Sequence, residues 1–148
     1  VGSALPVVLQ DGTQLEVAPD KEIIRVAEGC MEPLADMVSF ADLSSPVLLH
    51  CLRNRFASDD IYTRIGDVLV AVNPYKVLPI YTVDHLEQYA SGNARELPPH
   101  CFAVAQAAYR GMLNGGGGQA ICISGESGAG KTETMKLLLQ SLAASSRK

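Results

Sequence analysis

The stretch ISGESGAGKTET, residues 123–134, decides how the chain folds. Within it, residues 125–132 match the pattern Gly-x-x-x-x-Gly-Lys followed by Ser or Thr, in which a glycine-rich turn leads from a strand into a helix. Residues 120–123 before the turn are apolar and predict a strand, and apolar residues recur on one side of the segment after Gly130. The sequence therefore predicts a strand, a phosphate-binding turn and a helix, in that order.

Each residue type in this turn, the phosphate loop (residues 125–132), suits a nucleoside triphosphate. Gly125, Gly128 and Gly130 let the backbone approach phosphate oxygens closely, and the helix N-terminus adds partial positive charge. Lys131 would bring a full charge to the β and γ phosphates, and Thr132 would present its hydroxyl to Mg²⁺. We therefore assign catalytic roles to Lys131 and Thr132 and a metal-binding role to Thr132. The remaining residues assigned to this binding site are Glu126, Ser127, Ala129 and Glu133.

The rest of the chain predicts short strands and helices separated by turn residues. Asp11-Gly12 suits a two-residue hairpin turn, and Ser45 and Thr82 suit helix caps. The glycine run at 115–118 follows a helix instead of preceding one, so we interpret it as a flexible loop and not as a phosphate site. The predicted elements are a hairpin from 7–10 to 13–17, a helix at 47–56, strands at 61–65 and 68–72, helices at 82–90 and 100–114, and the strand and helix around the phosphate loop.

Apolar patterning predicts which faces of these elements are buried. The strand at 68–72 is apolar throughout, as a strand covered on both faces would be. In the helix at 100–114, helical spacing predicts a stripe that faces the core, formed by Val104, Ala105, Ala108, Tyr109, Met112 and Leu113. The last helix has a similar side formed by Met135, Leu138, Leu139 and Leu142.

Composition narrows the class of protein. At 148 residues, with 47% apolar and 19% charged residues, the chain has the size of one globular domain. The net charge of −4 argues against a nucleic-acid partner, and no apolar run reaches the roughly 20 residues that cross a bilayer. The first residues lack the pattern of a signal peptide, so we expect a cytoplasmic protein. The four cysteines form no CxxC pair and the three histidines share no metal-binding spacing, so we expect reduced cysteines and no zinc site.

The nine residues NPYKVLPIY, at positions 73–81, form a second motif. Taken alone, an Asn-Pro turn after a strand is ordinary, and Tyr81 is interpreted as a packed loop tyrosine. Together with the Glu-Ser pair at 126–127, however, these residues resemble two nucleotide-binding motifs of the myosin motor head, in the order of that family. The resemblance implies that Asn73, Pro74 and Tyr81 of this base loop (residues 73–81) border the adenine of ATP, and that Tyr81 hydrogen-bonds the base edge.

The resemblance to myosin heads covers about residues 33–142 and implies an α/β fold of the P-loop nucleoside triphosphatase class, with a mixed central sheet and flanking helices. It divides the chain into residues 1–28, similar to the end of a small SH3-like β subdomain, and residues 29–148, the N-terminal part of the motor domain. Two departures are modest: Thr134-Met135 replaces the commoner Asn-Thr or Ser-Thr, and Cys122 stands where aliphatic residues are usual.

By this resemblance the complete protein would be an actin-activated ATPase of the cytoskeleton that couples hydrolysis of Mg-ATP to movement along actin filaments. In myosins the groups that position the attacking water, the actin-binding segments and the lever arm follow the segments matched here. We therefore expect an incomplete motor domain that is inactive by itself and reaches actin through segments outside this chain, with light chains or calmodulin left open as partners. The alternatives are another P-loop ATPase, such as a kinesin-like one, and a module that binds ATP without hydrolysing it.

Overall fold

A computed structural model describes residues 4–9, 11–21, 23, 26, 29–93, 96–115 and 117–146. In chain order, its elements are β1 (Leu5–Val8), β2 (Gln14–Val17), a 3₁₀ helix (Met37–Ser39), α1 (Ser45–Ala57), β3 (Tyr62–Ile65), β4 (Val68–Ala71), α2 (Val83–Ser91), α3 (Cys101–Leu113) and α4 (Lys131–Ser145). The predicted helices are confirmed, with bounds that differ by one to three residues.

The first hairpin pairs β1 with β2 in antiparallel register, from Leu5 opposite Val17 to Val8 opposite Gln14. Its connection is longer than the two-residue turn we expected, because residues 9–13 all lie between the paired positions. The wider loop is closed by the Leu9 N–H, which donates to the Thr13 carbonyl at 2.8 Å, and within it the Asp11 carboxylate accepts from the Thr13 N–H at 2.9 Å. Gln10, expected in the first strand, lies outside the described residues, and the SH3-like assignment of residues 1–28 stays a prediction.

Helix α1 is joined to β3 by a buried arginine. Its cap is Ser44 and not Ser45, with the expected proline in the first turn. The buried side chains of α1, Val47, Cys51 and Arg55, recur every four residues and so share one face. The Arg55 guanidinium donates to the Thr63 hydroxyl and to the Tyr62 carbonyl, both at 2.9 Å. A buried charge with these partners fixes the helix against β3, the first strand of the hairpin that precedes the base loop.

The second hairpin pairs β3 with β4, from Tyr62 opposite Ala71 to Ile65 opposite Val68. Strand β3 begins in the core, where Tyr62 and Thr63 are 5% and 1% exposed. The prediction that residues 68–72 form a buried strand is wrong for the described chain: Val68 is 61% exposed, and Leu69 and Val70 are only partly buried. Apolar composition alone does not bury a strand when one of its faces borders an open groove.

That groove, about 1000 Å³ in volume, also explains the second correction. Residues 120–123 have no regular secondary structure, although the sequence predicts a strand there. They line the groove together with β4 and the N-terminal half of α3, so no described segment lies beside them to complete a ladder of hydrogen bonds. Among the described residues, the expected mixed central sheet is therefore represented by two antiparallel strand pairs and one isolated parallel bridge between Asp36 and Arg64.

The core between β3 and helices α2, α3 and α4 is centred on Phe102, which is fully buried. The predicted stripe on α3 is correct only near its start, because Ala105 is buried whereas Met112 and Leu113 are 49% and 64% exposed. The predicted side of α4 is also corrected: Leu138 is buried, but Met135 and Leu139 are 47% and 57% exposed.

A buried polar network joins helices α2, α3 and α4. The Ser145 hydroxyl at the end of α4 donates to the Gln106 amide oxygen of α3 at 2.9 Å. The amide nitrogen of Gln106 donates in turn to the Ala90 carbonyl of α2 at 3.1 Å. Because each buried polar atom in this chain of contacts has a partner, the network fixes α4, and with it the end of the phosphate loop, relative to the core.

Candidate nucleotide-binding site

The phosphate loop runs from residues 120–124 into the first turn of α4 and closes on itself. Its glycines take positive φ angles, 153° at Gly125, 80° at Gly128 and 93° at Gly130. The Ala129 N–H donates to the Glu126 carbonyl at 3.2 Å. A Cβ atom on Gly125 would lie 3.1 Å from the Cβ of Ala129, which is tighter than ordinary packing allows. The loop therefore needs glycine both for backbone conformation and for close approach.

Lys131, the first residue of α4, lies over the loop that precedes it. Its ammonium group donates to the carbonyls of Gly125 and Glu126, both at 2.8 Å. These bonds use two of the three ammonium donors and hold a full positive charge beside the start of the helix. The helix N-terminus contributes partial positive charge at the same place, so charge and backbone together favour an anion.

A cleft of about 330 Å³ opens at this end of α4. It is lined by Ser127, Gly128, Gly130, Lys131, Thr132 and Glu133. The donors fit a polyphosphate with Mg²⁺, because they combine an ammonium group, a threonine hydroxyl and glycine backbone that a Cβ would obstruct. The Glu133 carboxylate, which would repel an anion, is paired with the Lys136 ammonium at 2.7 Å.

The base loop touches the phosphate loop through residues at its own start. The Asn73 side-chain amide donates to the Gly128 carbonyl at 2.8 Å. The Tyr75 hydroxyl donates to the same carbonyl at 3.3 Å. The structure thus brings the two sequence motifs together, and it adds Tyr75, which sequence reasoning missed. An exposed tyrosine in a loop carries no sequence signal for such a contact.

The other two predicted base contacts are placed differently. Pro74 is partly buried between Asn73 and Tyr75. The hydroxyl oxygens of Tyr81 and Tyr62 lie 3.0 Å apart in a hydrogen bond, and the Tyr81 ring packs 5.5 Å from the ring of His100. Burial raises the pKa of the Tyr81 hydroxyl, which therefore stays protonated. These are the contacts of a packed tyrosine, and the role of Tyr81 at a base edge stays a prediction.

Comparison with known proteins shows the family to which the chain belongs. The sequence matches the myosin head (motor domain) family over residues 34–148. The chain belongs to this family. Membership gives it the P-loop nucleoside triphosphatase fold class, and it assigns the chain to a motor protein, in agreement with the resemblance stated above.

Three relatives illustrate the extent of the match between this myosin-head segment and longer proteins. It is 44% identical to Myosin-VIIa of Drosophila melanogaster over 147 residues, which is 99% of the chain and 7% of that protein. It is 42% identical to the high molecular weight form of myosin-1 of Acanthamoeba castellanii over 132 residues, 88% of the chain and 8% of the relative. It is 52% identical to Myosin-13 of Arabidopsis thaliana over 109 residues, 73% of the chain and 7% of the relative. The chain thus spans less than a tenth of these proteins.

Among the residues that the structure describes, the His, Cys, Asp and Glu side chains do not gather into a metal-binding cluster. Across residues 4–146, apart from the few positions not described, no three His, Cys, Asp or Glu side chains are arranged to hold an ion. All four cysteines are free thiols, with Cys122 exposed and the other three buried. Within the described part of the chain, no helix is both long enough and apolar enough to cross a membrane.

Proposed function

We propose that this chain is the ATP-binding part of a myosin motor, with the phosphate loop as the site of the triphosphate. The observation that carries the proposal is the glycine loop entering α4 with the Lys131 ammonium held beside the helix start. Backbone N–H groups, helix charge and ammonium act on the same cleft and favour negative charge there. Myosin-family membership supports ATP as the nucleotide.

In this proposal each residue of the cleft has a separate task. Lys131 exchanges its bonds to loop carbonyls for bonds to the β and γ phosphates, and Thr132 directs its hydroxyl to Mg²⁺. Thr132 would thus hold an ion whose positive charge would offset that of the phosphate oxygens. Glu126, Ser127 and Ala129 supply backbone around the phosphates, and Glu133 holds the first helical turn through Lys136. The base loop borders the adenine with Asn73, Pro74 and Tyr81.

We further propose that the complete protein is an actin-activated ATPase that moves along actin filaments in the cytoplasm, as part of the cytoskeleton. Actin contacts, and any light chains or calmodulin, would be contributed by segments outside this chain, with no nucleic-acid or membrane-inserted partner. Residues 1–28 would belong to an SH3-like subdomain and residues 29–148 to the motor domain. In the motor domain, a segment of the longer protein would complete the sheet beside residues 120–123, where the groove lies. By itself the chain would neither hydrolyse ATP nor bind actin.

The test uses the complete protein, with phosphate release measured with and without actin filaments. We expect actin to accelerate release, and Lys131→Ala to abolish the acceleration while Arg53→Ala, an exposed cation of α1 outside the cleft, retains it. ATP binding without hydrolysis in the unmodified protein would favour the non-catalytic module instead. A hydrolysis rate that actin does not change would favour another P-loop ATPase, although myosin-family membership weighs against a kinesin-like one.

A further inference from the structure

We propose that Asn73 and Tyr75 are positioning residues for the phosphate loop, and that they act on it by holding the Gly128 carbonyl. The inference rests on the proposed function, since it concerns how the same cleft is kept ready for a triphosphate. It differs from a role in base recognition, because the group that both side chains contact belongs to the phosphate loop. The expected consequence is that these residues affect binding of the phosphates and not only of the adenine.

The contact acts on a rigid unit of backbone. A peptide group is planar, so the direction of the Gly128 carbonyl also fixes the direction of the Ala129 N–H. That N–H donates to the Glu126 carbonyl at 3.2 Å inside the loop. The peptide between Gly128 and Ala129 is thus held at its oxygen by Asn73 and Tyr75 and at its nitrogen by the loop itself. Turning this peptide over would break all three hydrogen bonds.

The contact also provides hydrogen-bond donors for the carbonyl oxygen of Gly128. The Asn73 amide and the Tyr75 hydroxyl satisfy the Gly128 oxygen, as the Lys131 ammonium satisfies the oxygens of Gly125 and Glu126. A phosphate group is repelled by a free carbonyl oxygen and attracted by N–H groups. Donors on the loop carbonyls therefore favour the arrangement that a polyphosphate needs.

The two donors are themselves held in place from within the base loop. The Asn73 amide oxygen accepts from the Tyr75 N–H at 3.0 Å, which turns the amide nitrogen towards Gly128. Tyr75 has a φ of 49°, a left-handed conformation that is uncommon for a residue with a bulky side chain. Backbone strain of this kind persists where surrounding contacts over-determine it, and it clusters at functional sites. Here it coincides with the residue whose hydroxyl reaches the phosphate loop.

The same two side chains also lie within contact distance of two glycines of the phosphate loop. A Cβ atom on Gly128 would lie 3.5 Å from the Tyr75 hydroxyl, and one on Gly130 would lie 3.9 Å from the Asn73 side chain. Tyr75 is nevertheless 83% exposed, so its side chain supports the phosphate loop without being part of the core. Substitution of this tyrosine should therefore leave the fold intact and isolate the contact.

The experiment compares two ligands in the complete protein, Mg-ATP and inorganic tripolyphosphate with Mg²⁺, because only the first has a base. Tyr75→Phe should weaken both ligands by the same factor, about twofold to fivefold, and Asn73→Ala should weaken both by about tenfold, as expected for lost hydrogen bonds. Asn54→Ala is the matched control, since its amide contacts His50 on α1 and neither loop. The thermal midpoint of Tyr75→Phe should equal that of the unmodified protein.

A loss confined to Mg-ATP would overturn the inference, because it would make Asn73 and Tyr75 base contacts. Unchanged affinity for both ligands in both variants would overturn it as well. If Asn73→Ala lowers the thermal midpoint, its affinity loss includes an effect on folding, and the inference is then judged by the affinities of Tyr75→Phe alone. Lys131→Ala, measured alongside, separates this inference from the proposed function: retention of both ligands by that variant would reject the phosphate site itself, whatever the other variants do.

Discussion

The phosphate loop takes most of its shape from contacts within itself, whereas the base loop takes its shape mainly from residues far away in the sequence. The first is set by glycines with positive φ angles and by the Ala129 to Glu126 hydrogen bond. The second is held by the core contacts of Tyr81 with Tyr62 and His100, and its Lys76 forms an exposed salt bridge with Asp59. The two loops meet at one carbonyl, that of Gly128.

The difference predicts how each loop responds to substitution. Side chains of the phosphate loop are exposed and contribute little to the core, so their removal should change ligand binding with little effect on folding. Side chains at the far end of the base loop pack against Phe102 and His100, so changes there should affect stability together with binding. The division between local and distant contacts would be wrong if phosphate-loop variants lost stability, or if variants at the far end of the base loop changed binding alone.

The largest effect is expected for Lys131→Ala in the complete protein. The ammonium group would make at least two charge-assisted hydrogen bonds to phosphate, each contributing about 1.5–3 kcal/mol, so ATP affinity should fall by at least about a hundredfold. Equilibrium binding of a fluorescent ATP analogue measures the loss. Arg53→Ala, an exposed cation of α1 outside the cleft, should stay within about threefold of the unmodified protein because such surface substitutions have small effects. Equal losses in both variants would deny Lys131 a special role.

The next effect is a loss of stability at acid pH. The Tyr81 ring at the end of the base loop packs against His100, whereas the phosphate loop contains no histidine. Burial lowers the pKa of His100 to about 4, from an ordinary value of 6.5. Between these values the unfolded segment binds more protons than the folded one, so stability should fall as the pH drops from 6.5 towards 4. The full difference is on the order of 3 kcal/mol.

Hydrogen exchange of the complete protein, corrected for intrinsic rates, measures this loss as a change in the local opening free energy of α3. His100→Asn should flatten the pH dependence while keeping a capping acceptor for the Phe102 N–H. His50→Gln, on α1, should preserve it because His50 contacts Asn54 and not His100. A first turn of α4 that loses protection as steeply as α3 would contradict the proposed separation of the two loops.

A smaller effect is expected for Tyr81→Phe, which keeps the ring packing and removes only the hydroxyl. If that hydroxyl reads the base edge, affinity for Mg-ATP should fall by about threefold to tenfold, the range for one hydrogen bond, while affinity for inorganic tripolyphosphate stays constant. Tyr109→Phe on α3 serves as the control. Parallel losses for both ligands would mean that Tyr81 acts by holding the base loop, through its bond to Tyr62, and not by contacting adenine.

Sequence reasoning succeeded where the determinants are local. The phosphate loop, the start of α4 and the Thr82 cap of α2 depend on residues within a few positions of one another, and the structure contains all three. The approach of Asn73 to the phosphate loop followed only from family resemblance, since no spacing rule connects residues 55 positions apart.

Sequence reasoning failed where the structure of a segment depends on other segments packed beside it. Residues 120–123 have the composition of a strand, but pairing needs a partner segment, and the described residues provide none beside the groove. Met112 and Leu139 have helical spacing typical of a core face and are nevertheless exposed. The sequence gives no indication that Tyr75 contacts the phosphate loop, because exposed loop tyrosines are common and the contact is to a backbone carbonyl.

The smallest effect is expected for Lys76→Met, which removes the ammonium group but keeps most of the aliphatic stem. The Lys76 ammonium lies 2.6 Å from the Asp59 carboxylate, yet the two side chains are 55% and 51% exposed. Exposed pairs of this kind contribute about 0.2–1 kcal/mol and are screened by salt, so ATP affinity should change by less than about fivefold. Asp59→Asn is the matched variant, because asparagine tolerates the φ of 62° found at Asp59. Both variants should converge on the unmodified protein at about 0.5 M salt, where the Debye length falls below roughly 5 Å. A tenfold or larger loss that persists in salt would mean that the base loop is positioned by this surface pair and not by the core contacts of Tyr81, and the contrast between the two loops would have to be redrawn around Asp59.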